Sequence, residues 1–419
     1  LKSFRFGKRQ ANSSARKSFV SATENHTWII TCSPGLESLL ETEINERLKW
    51  DLKFDHNLGA LQCEAPLEFA FDICSSSLLA SRILYVVRNF SAKTPEMLYN
   101  QVRRVPWERF FLSPKHAGLK TFAIHSHGKT TAFAMNFATL KIKDAICDEI
   151  RKKGLERPDV SRAEADLRIE AFFEASGKCQ LSVDFSGEPI HRRGYRSETV
   201  EAPLRENKAA ALIQFSEWKS SQPFYDPFCG SGTLPIEAFL YAKNGALGLR
   251  RVSNRPFPLE ALFKDFDTQK EKGIERAKKR YLRDTHPTLL ASDIDGAAVR
   301  QAAENAQKAG IRKNEILFDK LDARELPKLE KGTHIITHPP FGIRTEDQSK
   351  ASALLAKLTE QLKKNAFEGK LTVVIPEGPL EKAIGLRPSK KLKVEDGKIT
   401  LKFLTFDLYA GSKKAKNKD

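Results

Sequence analysis

The eight-residue string Asp226-Pro-Phe-Cys-Gly-Ser-Gly-Thr233 constrains this chain more than any other feature. Apolar, strand-like Phe224-Tyr225 precedes it, and a helix-spaced run begins at Leu234. A strand that ends on an acid and passes through Gly-x-Gly into a helix lets backbone approach a ligand closely. Glycine permits this because it adopts positive φ and carries no Cβ. Gly-x-Gly alone also occurs in many ordinary strand–helix turns. The full string is more specific. It lacks the third glycine of a dinucleotide fingerprint and the lysine of a phosphate-binding loop. An acid just before the loop repels pyrophosphate and suits a cationic or amino-bearing ligand.

The surrounding rhythm extends the same reading. A helix is expected over 205–217, then the strand Phe224–Asp226 and a helix from Leu234. Further strands are expected at Leu289–Ser292, Glu315–Asp319, His334–Thr337 and Leu371–Ile375, with helices at 295–309 and 349–365. Ile399–Leu408 supplies a last strand, single or paired. Strand–helix alternation implies a parallel, doubly wound sheet. An Arg- and Lys-rich stretch at 243–285 reads as an insertion.

The half before it has a different pattern. Trp28–Cys32, Leu58–Cys63, Ile83–Phe90 and Thr121–His127 read as strands, and Leu167–Ala175 with Cys179–Phe185 as a hairpin about Gly177. Helices are expected at Leu36–Leu48, Ala65–Ser81, Thr94–Val102 and Phe133–Lys152. Short strands mixed with helices make 27–186 an α+β region. Order is expected from about Trp28, after a mobile basic arm, 1–26, whose Arg- and Ser-rich, acid-poor composition is also that of an organelle transit peptide. A second basic tail is expected at 412–419.

Three more elements follow strand ends in the C-terminal half. In Ala291-Ser-Asp-Ile-Asp295, Asp293 is placed to accept ribose hydroxyls and Asp295 to cap the next helix; capping alone would also explain both. In Lys320-Leu-Asp-Ala323, Asp322 can receive an adenine amino group or be a surface turn acid. Thr337-His-Pro-Pro-Phe-Gly342 is a rigid turn that can present one side chain and carbonyls to a planar group. Such acceptors are what methyl transfer to an exocyclic amine needs. The amine lone pair is delocalised into the ring, so its hydrogens must be drawn away as it attacks. Phe341 can stack on an extruded base. S-adenosylmethionine (SAM) carries a sulfonium and an α-amino group, the cationic features that Asp226 suits.

Charge gives an independent pointer. The 419 residues, enough for two or three domains, carry 70 Lys+Arg against 53 Asp+Glu, a formal net charge of +17 that favours a polyanion such as nucleic acid. No run of about 18 apolar residues is present, so no membrane helix is expected. Six scattered cysteines without Cys-x-x-Cys spacing argue against zinc and against a disulfide framework, and fit a reducing cytosol. No metal is expected. Lys141, Lys143, Arg151, Lys152 and Lys153 fall in or after one helix. His191, Arg192, Arg193 and Arg196 crowd six positions with no obvious core role, so phosphate contact is expected there.

Four ligand-suited elements in this order resemble the class I SAM-dependent RNA methyltransferases that carry a THUMP domain, closest to the RlmL type. The resemblance runs from Trp28 to Tyr409. It includes Trp28–Leu48, Lys141-Ile-Lys-Asp-Ala-Ile146 with Arg157-Pro158, His191-Arg-Arg-Gly-Tyr-Arg196, Ala202-Pro-Leu-Arg-Glu-Asn207 and Gly245-Ala-Leu-Gly-Leu249. It implies a ferredoxin-like segment (27–66), a THUMP domain (67–186), a basic linker (187–204) and a Rossmann-like methyltransferase domain (205–411). Some members carry a second methyltransferase domain, which is not expected here. The implied cofactor is SAM. Asp226, Cys229, Gly230, Gly232 and Thr233 would line its methionine part, Asp293 and Ile294 its ribose, and Asp322 and Ala323 its adenine. His338, Pro339, Pro340 and Phe341 would present the target amine. Lys141, Lys143, Arg192, Arg193 and Arg196 would hold RNA.

The implied activity is methyl transfer to guanine N2 in 23S rRNA by a monomeric cytoplasmic enzyme without membrane partners. The alternatives are a tRNA guanine-N2 enzyme and a non-catalytic RNA-binding assembly factor. One departure matters: the family usually has Asn, sometimes Asp or Ser, where this chain has His338. A neutral imidazole can accept a hydrogen bond, whereas a protonated one only donates.

Overall fold

The computed structural model describes residues 21–111, 120–161, 165–196, 204–254, 257–326, 328–341, 345–365 and 368–408. The arm before residue 21, the tail after 408, Ala202-Pro203 and Gly342 lie outside the described residues. The strands in chain order are β1 (His26–Thr31), β2 (Asp55–Asn57), β3 (Ala60–Ala65), β4 (Arg82–Ser91), β5 (Thr121–Gly128), β6 (Asp159–Val160), β7 (Leu167–Phe173), β8 (Lys178–Asp184), β9 (Phe224–Asp226), β10 (Leu289–Asp293), β11 (Leu317–Lys320), β12 (His334–Thr337), β13 (Lys370–Pro376), β14 (Lys390–Asp396) and β15 (Ile399–Asp407). The helices are α1 (Glu37–Thr42), α2 (Leu67–Ser76), α3 (Pro95–Val102), α4 (Glu108–Phe111), α5 (Met135–Lys152), α6 (Glu206–Ser216), α7 (Thr233–Lys243), α8 (Leu249–Asn254), α9 (Phe266–Lys279), α10 (Gly296–Lys308), α11 (Thr345–Asn365) and α12 (Leu380–Ala383).

Two compact units emerge. The first draws on Leu1–Cys32, Lys49–Ile190 and Gly248–Lys279. Its eight strands form one sheet in the order β2-β3-β1-β4-β8-β7-β5-β6. Pairing is antiparallel except where β5 lies parallel to β6 and β7. Strand alternation sets its faces: along β7, Leu167, Ile169, Ala171 and Phe173 are buried while Arg168, Glu170 and Phe172 are half-buried. Trp28 is buried against Tyr85 and Phe185. Order begins earlier than expected, since Ala22 is fully buried and its carbonyl accepts from the Leu67 N–H. Leu58 and Gly59 form the β2–β3 turn instead of starting a strand.

The basic insertion finds a reason in this unit. Helix α9 packs on α2, and Gly273 allows the approach: a Cβ there would lie 2.6 Å from that of Phe71. The buried Asp72 of α2 receives bonds from Trp50 Nε1 at 2.7 Å and Ser76 Oγ at 3.1 Å, and pairs with Arg276 at 3.3 Å. Gly248–Lys279 packs within the first unit, where its arginine and small residue fit a buried acid and an aromatic ridge.

The second unit draws on Ser33–Leu48, His191–Leu247 and Arg280–Asp419. Its sheet runs β11-β10-β9-β12-β13-β15-β14, with β9 to β13 parallel and β15 antiparallel to both β13 and β14. The expected doubly wound sheet is present. Sequence reading missed β14, whose short alternating run is rich in lysine. Tyr225, Ile335, Leu371, Val373 and Phe406 pack with Leu355, Leu358 and Leu362 of α11. Strand order reverses at β9, which lies between β10 and β12, so a crevice opens at their carboxyl ends.

Candidate functional site

All four strand-end elements of the second unit line one cavity of about 1030 Å³. Asp226 ends β9, Asp293 ends β10, Asp322 follows β11 and His338 follows β12. These positions come from topology: parallel strands place their carboxyl ends on one edge of the sheet.

Asp226 is the electrostatic centre. It is 1% exposed, and its Oδ1 accepts from Thr337 Oγ1 at 2.6 Å and from the Phe228 N–H at 3.1 Å. Burial pushes its carboxyl up to about 7, nearby Asp293 adds to the rise, and the two hydrogen bonds hold it down. A carboxyl in that state gains most from a cation beside it, which restores the charge that burial opposes.

The Gly-rich loop divides its labour between two glycines. Gly230 has φ +50°, a Cβ there would meet nothing within 4 Å, and it lines the cavity. Its N–H donates to Asp293 Oδ2 at 3.0 Å. Gly232 (φ +82°) is not among the residues that line the cavity. A Cβ there would lie 2.9 Å from that of Ala302, so it serves the close approach of α7 to α10. Cys229 donates its N–H to the Ser292 carbonyl at 2.9 Å, and burial raises its thiol, so it is no nucleophile. Thr233 opens α7, and its Oγ1 accepts from Arg196 at 2.7 Å.

On the other wall, Asp293 Oδ1 accepts from the Asp295 N–H at 3.0 Å, while Asp295 caps α10 through the Ala297 N–H at 2.8 Å. Both Asp293 oxygens keep acceptor capacity for hydroxyls. Ile294 is 58% exposed and, with buried Ala323, offers apolar surface to a flat ring. Asp322 is held by Arg324, whose Nε lies 3.0 Å from each carboxylate oxygen. That guanidinium keeps the Asp322 carboxyl below its ordinary range.

The rigid turn supplies His338, Pro339, Pro340 and Phe341 to the same cavity. His338 is half-buried and meets Phe341 edge-on, with ring centroids 5.0 Å apart. Burial lowers its imidazole to about 4, so the ring is neutral at pH 7 and can accept a hydrogen bond. The departure from Asn is therefore compatible with an acceptor role.

The cationic residues divide. Arg193, expected at RNA, is a buried partner: its side chain is 4% exposed and pairs with Glu237 at 3.3 Å, while Tyr195 donates to the same carboxylate at 3.0 Å. Arg196 is likewise turned inward, onto Thr233 and the Leu204 carbonyl at 2.6 Å. Two of the four junction residues therefore serve the core after all. Glu237 lies 44 positions from Arg193 and Thr233 lies 37 from Arg196, beyond any local pattern. Arg192 is exposed. In the first unit Lys141 lies over Phe137 at 5.5 Å and Lys143 pairs with Asp144 at 3.1 Å, both half-buried on α5. Sequence reading missed Thr337 as a partner of Asp226, and Lys350, Ala353 and Leu354 of α11 as cavity wall. Thr337 stood at the strand end beside the Pro-Pro turn. Only the β9–β12 pairing shows that it faces Asp226.

Comparison with known proteins bears on the family and the fold. Residues 193–404 match the family described as RMKL-like, methyltransferase domain, and residues 92–184 match the THUMP domain. A ribosomal RNA large subunit methyltransferase K/L from Shewanella loihica is 34% identical over 384 residues, covering 90% of this chain and 52% of its own. A protein of the same name from Syntrophotalea carbinolica is 32% identical over 396 residues, covering 90% and 53%. The chain spans about half the length of these curated relatives. A solved structure from Listeria monocytogenes, described as a predicted N6-adenine-specific DNA methylase, superposes with a TM-score of 0.76 at 25% identity, covering 93% of this chain and 97% of that one.

Proposed function

From the premise that the chain belongs to the RMKL-like methyltransferase family and carries a THUMP domain, we propose that it transfers a methyl group from SAM to guanine N2 in large-subunit rRNA. The observation that carries this reading is the shared cavity: a buried acid that favours a cation, a diol-accepting acid and an amine-accepting turn all line it. The chemistry of this donor set fits SAM. When bound, SAM supplies a methyl group on a positively charged sulfur, ready for in-line displacement.

The chain's own residues do the rest. Asp226 holds the amino group, with its charge restored by the contact. Asp293 accepts the ribose hydroxyls, while Asp322 with Ile294 and Ala323 receives the adenine. His338 and the carbonyls of its turn accept hydrogen bonds from the target amine and orient its lone pair. The low basicity of His338 makes it an acceptor and not a proton sink, so the released proton passes to solvent. Phe341 stacks on the extruded base. Orientation and preorganised acceptors supply the rate.

The test is methyl transfer from labelled SAM to RNA of cells lacking the gene, split into large rRNA, small rRNA and tRNA and digested to nucleosides. N2-methylguanosine in the large-rRNA fraction is expected. Label in tRNA would move the substrate, and label on adenine N6 would move the target atom. No label in any fraction, with SAM binding intact, would favour a non-catalytic RNA-binding factor.

A further inference from the structure

The first unit carries a second built cavity, remote in sequence from the motifs above. It holds about 340 Å³ and is lined from strands β1, β4, β5, β7 and β8 and from the Leu58-Gly59 turn. Strand register explains its composition. Phe172 faces Gln180 on one side and His127 on the other, and in the next row Glu170 faces Ser182 and His125. Cross-strand partners share a face, so these side chains form one polar and aromatic surface. Ile29 and Leu84, partners across β1 and β4, supply an apolar floor beside it.

Three features give the cavity a ligand chemistry. Gln180 is 1% exposed; its amide donates to Gln62 Oε1 at 3.0 Å, and its own Oε1 has no partner among the described residues. A buried amide oxygen without a donor is unfavourable, so a donor brought by a ligand is favoured there. Glu170 accepts from His127 and from Arg168, each at 2.6 Å. Phe172 and the Arg168 guanidinium offer flat faces, and Leu58, 60% exposed, stands at the turn.

We propose that this cavity binds one unpaired nucleotide of an RNA substrate, with its base stacked on the Arg168 guanidinium and its Watson–Crick edge donating to Gln180. Every nucleobase has at least one N–H donor on that edge, and in a duplex that donor is already taken. The site thus selects unpaired RNA without reading sequence. The volume lies at the lower end of the roughly 300–1,000 Å³ range for small-ligand sites, room for a nucleotide and not for a helix. The inference rests on the RNA-methyltransferase reading only in taking RNA as the occupant.

The test is photo-crosslinking and equilibrium binding of the full chain to a decamer of 4-thiouridine-containing oligouridylate. Cross-links are expected in the peptides that hold Leu58 or Phe172. Gln180→Leu and Arg168→Ala should each weaken decamer binding by about tenfold, as loss of a hydrogen bond or stacking plane predicts, with thermal melting confirming the fold. Equal affinity for a duplex of the same length, unchanged affinity in a folded Arg168→Ala, or cross-links confined to other peptides would overturn the proposal. Uridine monophosphate competing as well as the decamer would overturn RNA as the occupant. Methyl transfer without these cross-links defeats the pocket alone. Cross-links without methyl transfer defeat only the catalytic reading.

Discussion

Replacing Thr337 by valine tests the electrostatics at the heart of the site. The substitution removes one of two hydrogen bonds that stabilise the buried Asp226 carboxylate and leaves the shape nearly unchanged. A hydrogen bond to a charged group is worth roughly 1.5–3 kcal/mol, and 1.36 kcal/mol is one pKa unit, so the carboxyl should rise by about 1–2 units. Its midpoint then moves from about 7 to roughly 8–9. The sign follows directly. An acid whose midpoint rises is protonated over a wider range, and only its ionised form attracts the SAM amino group. At pH 7 the ionised fraction falls from about one half to roughly 1–10%, which lowers SAM affinity about 5- to 50-fold. At pH 9 both proteins are mostly ionised and the deficit shrinks to about twofold or less. Calorimetric titration of SAM from pH 6 to 9 reads this out. Thr337→Ser, which keeps the hydroxyl, should behave as the parent does. A deficit of the same size at every pH, or none at pH 7, would refute the assignment of Thr337 and Asp226 as one proton-coupled pair.

Other expectations follow from the same geometry. Gly232→Ala forces a Cβ to 2.9 Å from Ala302 at φ +82° and should cost about 2–5 kcal/mol, read as a fall of several degrees or more in Tm. Gly230→Ala meets no atom within 4 Å, so it should cost only about 1–2 kcal/mol of backbone strain and show mainly in SAM affinity. Arg193→Ala leaves the buried Glu237 carboxylate without its cation, with only the Tyr195 hydrogen bond, and should destabilise by about 3–5 kcal/mol. Arg192→Ala should leave stability alone and reduce the salt slope of RNA binding by about one, so equal effects on that slope from both would contradict the inward placement of Arg193. With His338 neutral above about pH 5, kcat should show no loss near pH 6.5 from its protonation. His338→Ala should lower kcat about 10²-fold with SAM affinity unchanged, and His338→Asn should retain activity.

The residues that line the cavity were largely legible, because each ligand-suited element is a strand end, a turn and a helix start within about ten neighbouring residues. The Asp226–Thr233 loop, the capping by Asp295 and the His338-Pro-Pro-Phe341 turn all rest on such local rules. Charge was a poorer guide. Four cationic positions at 191–196 looked like one surface, yet Arg193 and Arg196 find partners inside the second unit. The packing of the insertion was not legible either, because Arg276 answers a buried aspartate and Gly273 answers Phe71, both far away in sequence.

By itself, then, the sequence determined the α/β rhythm, the order of the strand-end motifs and the chemical types available at each. Hydrophobic period, turn residues and capping act over a few neighbouring positions and can be read in one dimension. Only the tertiary structure decided which of these groups are charged and which glycine lines the site. The Asp226–Thr337 bond spans 111 positions, and the neutral His338 is a product of burial. Protonation depends on solvent exclusion and on partners brought together by the whole fold, and no local pattern encodes either.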